Sequence, residues 1–134
     1  MTSRSYSPLF VFLGSLMAGS GVAAGAFGAH SLKETLDAPM LTVFETAVRY
    51  QMYHALGLCI IACIWKRHDA RRSSVAGWCF ALGIALFSGS LYGVSLTGIR
   101  WLGAVTPVGG LALIAGWTVL ALDAWRAIGQ TSRD

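Results

Sequence analysis

Apolar residues gather into four long runs, at about 8–29, 48–65, 75–96 and 101–122, separated by short polar intervals. A helix needs roughly 20 largely apolar residues to cross a bilayer, and each run is close to that length. The pattern predicts an all-α fold: one integral membrane domain over residues 1–134, a bundle of four transmembrane helices. The first run follows Arg4 and contains Ala24-Gly25-Ala26, as a cleaved secretory leader would. It outlasts the roughly 7–15 residues of a leader core, so it reads as an uncleaved first span.

The interval H-S-L-K-E-T-L-D-A-P predicts a short amphipathic segment between the first and second spans, with Leu32 and Leu36 one helical turn apart. Asp37 followed by Pro39 marks the start of the second helix. Running from there to about Lys66, that helix would be about 28 residues and roughly 42 Å long, against a hydrocarbon core of about 30 Å. Its first turns must therefore lie in the interface.

Two runs carry a second pattern, made of small residues. In the first span Gly14, Ala18, Gly21, Gly25 and Gly28 recur at spacings of 4, 3, 4 and 3, which puts them on one helix stripe. Such a stripe is a packing seam for another helix of this chain or of a second copy, and leucine at Gly21 or Gly25 would overpack it. In the fourth span Pro107 removes a helix hydrogen bond and Gly109-Gly110 follows it, so a kink or short unwound stretch is expected there. Broken helices form substrate sites in transporters, although Pro and Gly also occur in ordinary membrane helices.

Composition agrees with the pattern and excludes an ordinary soluble domain. The chain is 55% hydrophobic and 12% charged, with a mean hydropathy of +0.62, whereas soluble domains carry about 25% charged residues. Arg4, Lys66, Arg67, Arg71, Arg72, Arg126 and Arg133 fall on one side of a four-span arrangement, and Lys33, Arg49 and Arg100 on the other. By the positive-inside rule both termini face the cytoplasm. That rule accounts for the basic 66–72 run, so the pI of about 9.3 points to no nucleic-acid partner. Cys59, Cys63 and Cys79 all lie within spans, without a C-x-x-C or a second pair, and read as packing residues rather than metal ligands.

The candidate polar site is the run F-E-T-A-V-R-Y-Q-M-Y-H, where a charged helix turn feeds into an uncharged stretch. Polar groups at the mouth of a span are costly, so function is sought there. At 100° per residue, Arg49 and Tyr53 lie about 40° and 80° from Glu45, with Tyr50 and His54 about 140° and 180° away. Arg49 is expected to point into the bundle, held by Glu45 and with Tyr53 on the same side, while His54 faces a different neighbour. The plainer alternative is that Glu45 neutralises Arg49 near the interface and the tyrosines belong to an aromatic belt. His30 falls near the same membrane face, and Ser88, Ser90, Tyr92 and Thr106 offer hydroxyls to the region.

No catalytic residue is assigned, because His30, His54 and His68 have no Ser or Cys partner in a nucleophile motif, and G-x-S-x-G, H-E-x-x-H and phosphate-loop patterns are absent. Haem ligation by His30 and His54 rests on two histidines alone, which is weak grounds. No metal or cofactor is predicted.

Five stretches in order, F-G-A-H (27–30), F-E-T-A-V-R-Y-Q-M-Y-H (44–54), S-G-S-L-Y (88–92), L-T-G-I-R (96–100) and T-P-V-G-G (106–110), make the chain resemble the domain-of-unknown-function 423 family. These are small four-helix membrane proteins of the YgdD and YwdK type, and the likeness runs through almost the whole chain. Ala47 and Val108 stand where the family pattern has Gly and Ile. The resemblance implies a bacterial inner-membrane location and four spans, and it brings no established activity, substrate or catalytic residue.

Three functions of different class follow. The first, favoured here, is a non-catalytic membrane protein that packs through small-residue faces with itself or with a membrane complex. The second is a small transporter or a lipid, quinone or ion site, which requires a polar cavity joining Glu45, Arg49 and His54 to the Thr106–Gly110 segment. The third is a redox or enzymatic membrane subunit. No acid lies in the middle of a span, which argues against proton-coupled transport.

Overall fold

The computed structural model describes residues 7–64 and 70–131. Arg4, Trp65, Lys66, Arg67, His68 and Arg133 lie outside the described residues. Among the described residues there are four long helices and no strand: α1 (Pro8–His30), α2 (Ala38–Ile64), α3 (Ala70–Thr97) and α4 (Thr106–Thr131). Each belongs to a segment long and apolar enough to cross a membrane. Short 3₁₀ turns at Leu32–Glu34 and Arg100–Ala104 precede α2 and α4.

The helix ends follow from local chemistry. Pro8 sits in the first turn of α1, where a missing N–H costs nothing. Asp37 caps α2: its Oδ1 accepts the Met40 N–H at 2.9 Å and its carbonyl accepts that of Leu41 at 2.9 Å. Past the end of α3, Gly98 adopts a φ of +71° and donates its N–H to the Val94 carbonyl at 2.9 Å. A residue with a Cβ would be strained in this left-handed cap. The Thr97 hydroxyl donates to the Gly93 carbonyl at 2.6 Å and accepts the Ile99 N–H at 3.2 Å, so T-G-I turns the chain.

The fourth helix departs from the sequence expectation. Residues 100–104 form a 3₁₀ turn, and α4 begins at Thr106 and runs unbroken to Thr131. Pro107 therefore sits in the first turn, where its missing donor has no partner to lose, and no unwound stretch follows it at Gly109 or Gly110. The glycines serve packing instead. A Cβ on Gly109 would lie 2.8 Å from the Phe87 Cα and 2.9 Å from the Leu86 carbonyl carbon, so α4 touches the α3 backbone here.

Packing runs in chain order, α1 on α2, α2 on α3 and α3 on α4. The core joins Phe10 of α1, Leu58, Ile61 and Ala62 of α2, Ala76, Phe80 and Ile84 of α3, and Leu113 of α4. Large rings fill holes left by glycines. Phe80 occupies the space beside Gly57 of α2 and Gly116 of α4, where added Cβ atoms would come within 2.9 and 2.6 Å of its ring. Phe10 lies over Gly77 of α3 in the same way.

The small-residue stripe of α1 is engaged inside the monomer. A Cβ on Gly14 would meet the Ala55 carbonyl at 2.8 Å and the Cys59 Sγ at 2.7 Å. One on Gly21 would meet the Met52 Sδ at 2.7 Å, and one on Gly28 the Phe44 ring at 2.9 Å. Gly25 is looser, 3.4 Å from Val48, and Ala18 is half-buried beside it on the stripe. The seam therefore holds α1 against α2 and is not left open for a second copy.

Candidate functional site

The expected polar turn is divided between different faces. Glu45, Arg49 and Tyr53 are exposed along an open groove of about 360 Å³ between α1 and α2, walled by Gly25, Gly28, Phe44, Val48 and Met52. Among the described residues no ion pair joins Glu45 to Arg49. The expectation that Arg49 points into the bundle, held by Glu45, is corrected: at the groove rim its long side chain can keep its charge in the headgroup layer, so burial has nothing to gain.

Tyr50 and His54 face the other way, toward α3 and α4. His54 is buried, its Nδ1 2.7 Å from the Tyr50 carbonyl, and because a carbonyl only accepts, Nδ1 carries the proton. The Tyr50 ring stacks on it at 6.1 Å, Phe80 meets it edge-on at 5.4 Å, and Trp117 lies at 6.0 Å. His30 is exposed at the last position of α1. Among the described residues no three His, Cys, Asp or Glu side chains gather into a metal-binding group.

Thr106 belongs to the α3–α4 contact. Its hydroxyl is 2.7 Å from that of Ser90, which also donates to the Phe87 carbonyl at 3.0 Å. Thr106 and Pro107 line a second groove of about 660 Å³ with Met40, Val43, Phe87, Leu91, Val94, Arg100 and Gly103. Neither this groove nor the α1–α2 groove brings Glu45 and Arg49 together with His54 and Thr106.

The residue that sequence reasoning passed over is Gln51. It is buried midway along α2, where its amide nitrogen donates to the Met17 carbonyl at 2.8 Å and to the Ser20 hydroxyl at 2.9 Å, both on α1. Its carbonyl oxygen accepts the Tyr92 hydroxyl of α3 at 2.8 Å. Ser20 in turn donates to the Met17 carbonyl at 3.1 Å, and Tyr92 packs on Phe44 at 5.0 Å. One amide thus links three helices with both its N–H donors and its oxygen engaged, as a polar group in an apolar bundle requires. Asp123 was also passed over. It is buried near the far end of α4 and accepts a hydrogen bond from Arg72 Nη1 of α3 at 2.9 Å.

Ser88, like Ser73 further back on α3, is an exception to this pairing. Its hydroxyl is buried on α3 and has no hydrogen-bond partner among the described residues. Removing an unpaired hydroxyl removes a desolvation cost, so Ser88→Ala is expected to leave stability unchanged or raise it by about 1 kcal/mol, as read by unfolding in detergent.

Comparison with known proteins agrees on one family. Residues 24–110 match the family described as protein of unknown function, DUF423. A UPF0382 membrane protein of Staphylococcus haemolyticus is 48% identical over 121 residues, covering 90% of this chain and 98% of its own. One from Staphylococcus epidermidis is 46% identical over 85% of this chain and 93% of its own. The UPF0382 membrane protein YwdK of Bacillus subtilis is 44% identical over 87% of this chain and 95% of its own. No solved structure matches.

Proposed function

Because this chain belongs to the DUF423 family of membrane proteins, we propose a role set by its helix surfaces rather than by chemistry: a non-catalytic membrane protein that associates, through α1, with a second copy of itself. The observation that carries this reading is that α1 has two small-residue faces. The Gly14–Gly28 stripe is engaged by α2, while Ser15, Gly19 and Ala23, spaced four apart, are all exposed. A Cβ on Gly19 would meet nothing within 4 Å. Small residues on a lipid-facing surface let a second helix backbone approach closely, and in lipid such packing, rather than hydrophobicity, drives association.

The polar interior supports the non-catalytic part of the reading. Gln51, Tyr92, Ser90, Thr106, Arg72 and Asp123 act as connectors between helices. The cation split favours a bacterial inner-membrane orientation with both termini in the cytoplasm. In that orientation the Leu32–Glu34 turn lies at the outer interface, with Leu32 turned inward.

A second reading, a lipid or small-ligand site, has the α1–α2 groove in its favour, since Glu45 and Arg49 offer both signs of charge above apolar walls. Cysteine cross-linking in native membranes separates the two. With Cys59, Cys63 and Cys79 replaced by alanine, Ala23→Cys is expected to form a disulfide-linked dimer under mild oxidation, and Ile114→Cys, exposed on α4, is not. Equal, slow cross-linking at both positions would mean random encounter and would sink the association reading.

A further inference from the structure

The α3–α4 pair carries a basic groove that neither reading above uses. Arg71 and Arg72, in the first turn of α3, and Arg126, near the end of α4, line a groove of about 430 Å³ whose remaining wall is Val75, Val119 and Leu122. Buried Asp123 holds Arg72 at 2.9 Å, while the Arg72 side chain stays 39% accessible. Three guanidinium groups thus meet at one groove, and Arg72 among them is held by a buried carboxylate. The N-terminal end of α3 adds a partial charge of the same sign.

We propose that this groove binds an anionic phospholipid, its phosphate on Arg71, Arg72 and Arg126 and an acyl chain along Val75, Val119 and Leu122. A guanidinium presents five N–H donors in a planar fork that matches phosphate oxygens, so it can keep a protein contact and still engage a headgroup. Basic pockets between membrane helices, with apolar walls below the charge, are suited to anionic headgroups. Asp123 is a positioning residue here, fixing the Arg72 fork at the mouth. The inference stands independently of self-association.

Native mass spectrometry of the full chain in neutral detergent tests it. The protein is offered equimolar cardiolipin and phosphatidylcholine, with inorganic phosphate in a separate arm. Cardiolipin is expected to be retained about tenfold over phosphatidylcholine. Arg71→Gln with Arg126→Gln is expected to lose about tenfold of that retention, and Lys33→Gln, exposed on the turn before α2 and lining no groove, to lose none. Arg72 is left intact so that Asp123 keeps its partner. If the double variant does not fold, as judged by its melting in lipid-free detergent, each single variant is read instead, with a loss of about threefold. Equal retention of the two lipids, unchanged retention in the variants, or displacement of cardiolipin by millimolar inorganic phosphate would each overturn the proposal, the last by making the groove a site for free phosphate.

Discussion

Gly109→Ala is expected to destabilise the protein by about 1–3 kcal/mol, at the upper end of what a single methyl costs through overpacking. The new Cβ would meet the backbone of Phe87 and Leu86 on α3, and backbone cannot rotate aside as a side chain can. The neighbouring Gly110→Ala places its Cβ 3.6 Å from the Phe87 ring, an ordinary contact. It should change stability by no more than about 0.5 kcal/mol. Denaturant unfolding in detergent, run on both variants, reads the difference. Equal effects at the two positions would mean that helix propensity, not the α3–α4 approach, governs this segment.

Gln51→Leu is expected to cost about 1–3 kcal/mol although leucine is nearly the same size. The loss is chemical: the Tyr92 hydroxyl of α3 loses its acceptor, and the Met17 carbonyl and Ser20 hydroxyl of α1 lose a donor. Tyr92→Phe alone should cost about 1 kcal/mol, in the range of single hydrogen bonds between membrane helices. The double variant should then be less destabilised than the two single changes combined, with a coupling of about 0.5–1.5 kcal/mol. Strict additivity in that cycle would remove Gln51 as the link between α2 and α3.

The four helices were legible because hydrocarbon length sets a simple rule, and the start of α2 because Asp37 and Pro39 are local signals. The start of the fourth helix depends on a local feature too. In an apolar run that begins near Trp101, Pro107 reads as an interruption, whereas the 3₁₀ turn at Arg100–Ala104 makes it a starting residue. Glu45 and Arg49 drew attention because charge is conspicuous in a sequence, yet long charged side chains at a helix mouth can stay at the surface. Gln51 was the more informative residue in the same run. An uncharged amide at the middle of a span must find partners, and that signal was readable from its position in α2, although which helices supply them was not. The Arg72–Asp123 pair joins residues 51 apart, a separation that no local pattern announces. The α1 stripe was visible as a stripe, but only the three-dimensional arrangement assigns it to α2 and leaves Ser15, Gly19 and Ala23 outside.

The central claim, that the inner face of α1 holds the monomer and the outer face joins two copies, is tested most directly by native mass spectrometry of protein released gently from its own membrane. Each chain is 14.2 kDa. The wild type is expected chiefly as a species of two chains, and Gly19→Leu as one chain with unchanged melting, because Gly19 is exposed and a Cβ there meets nothing within 4 Å. Gly14→Leu, by contrast, should lower melting, since it presses on the Ala55 carbonyl and Cys59 of α2. A wild-type protein found as a single chain, or a two-chain species that persists undiminished in Gly19→Leu, would contradict the account.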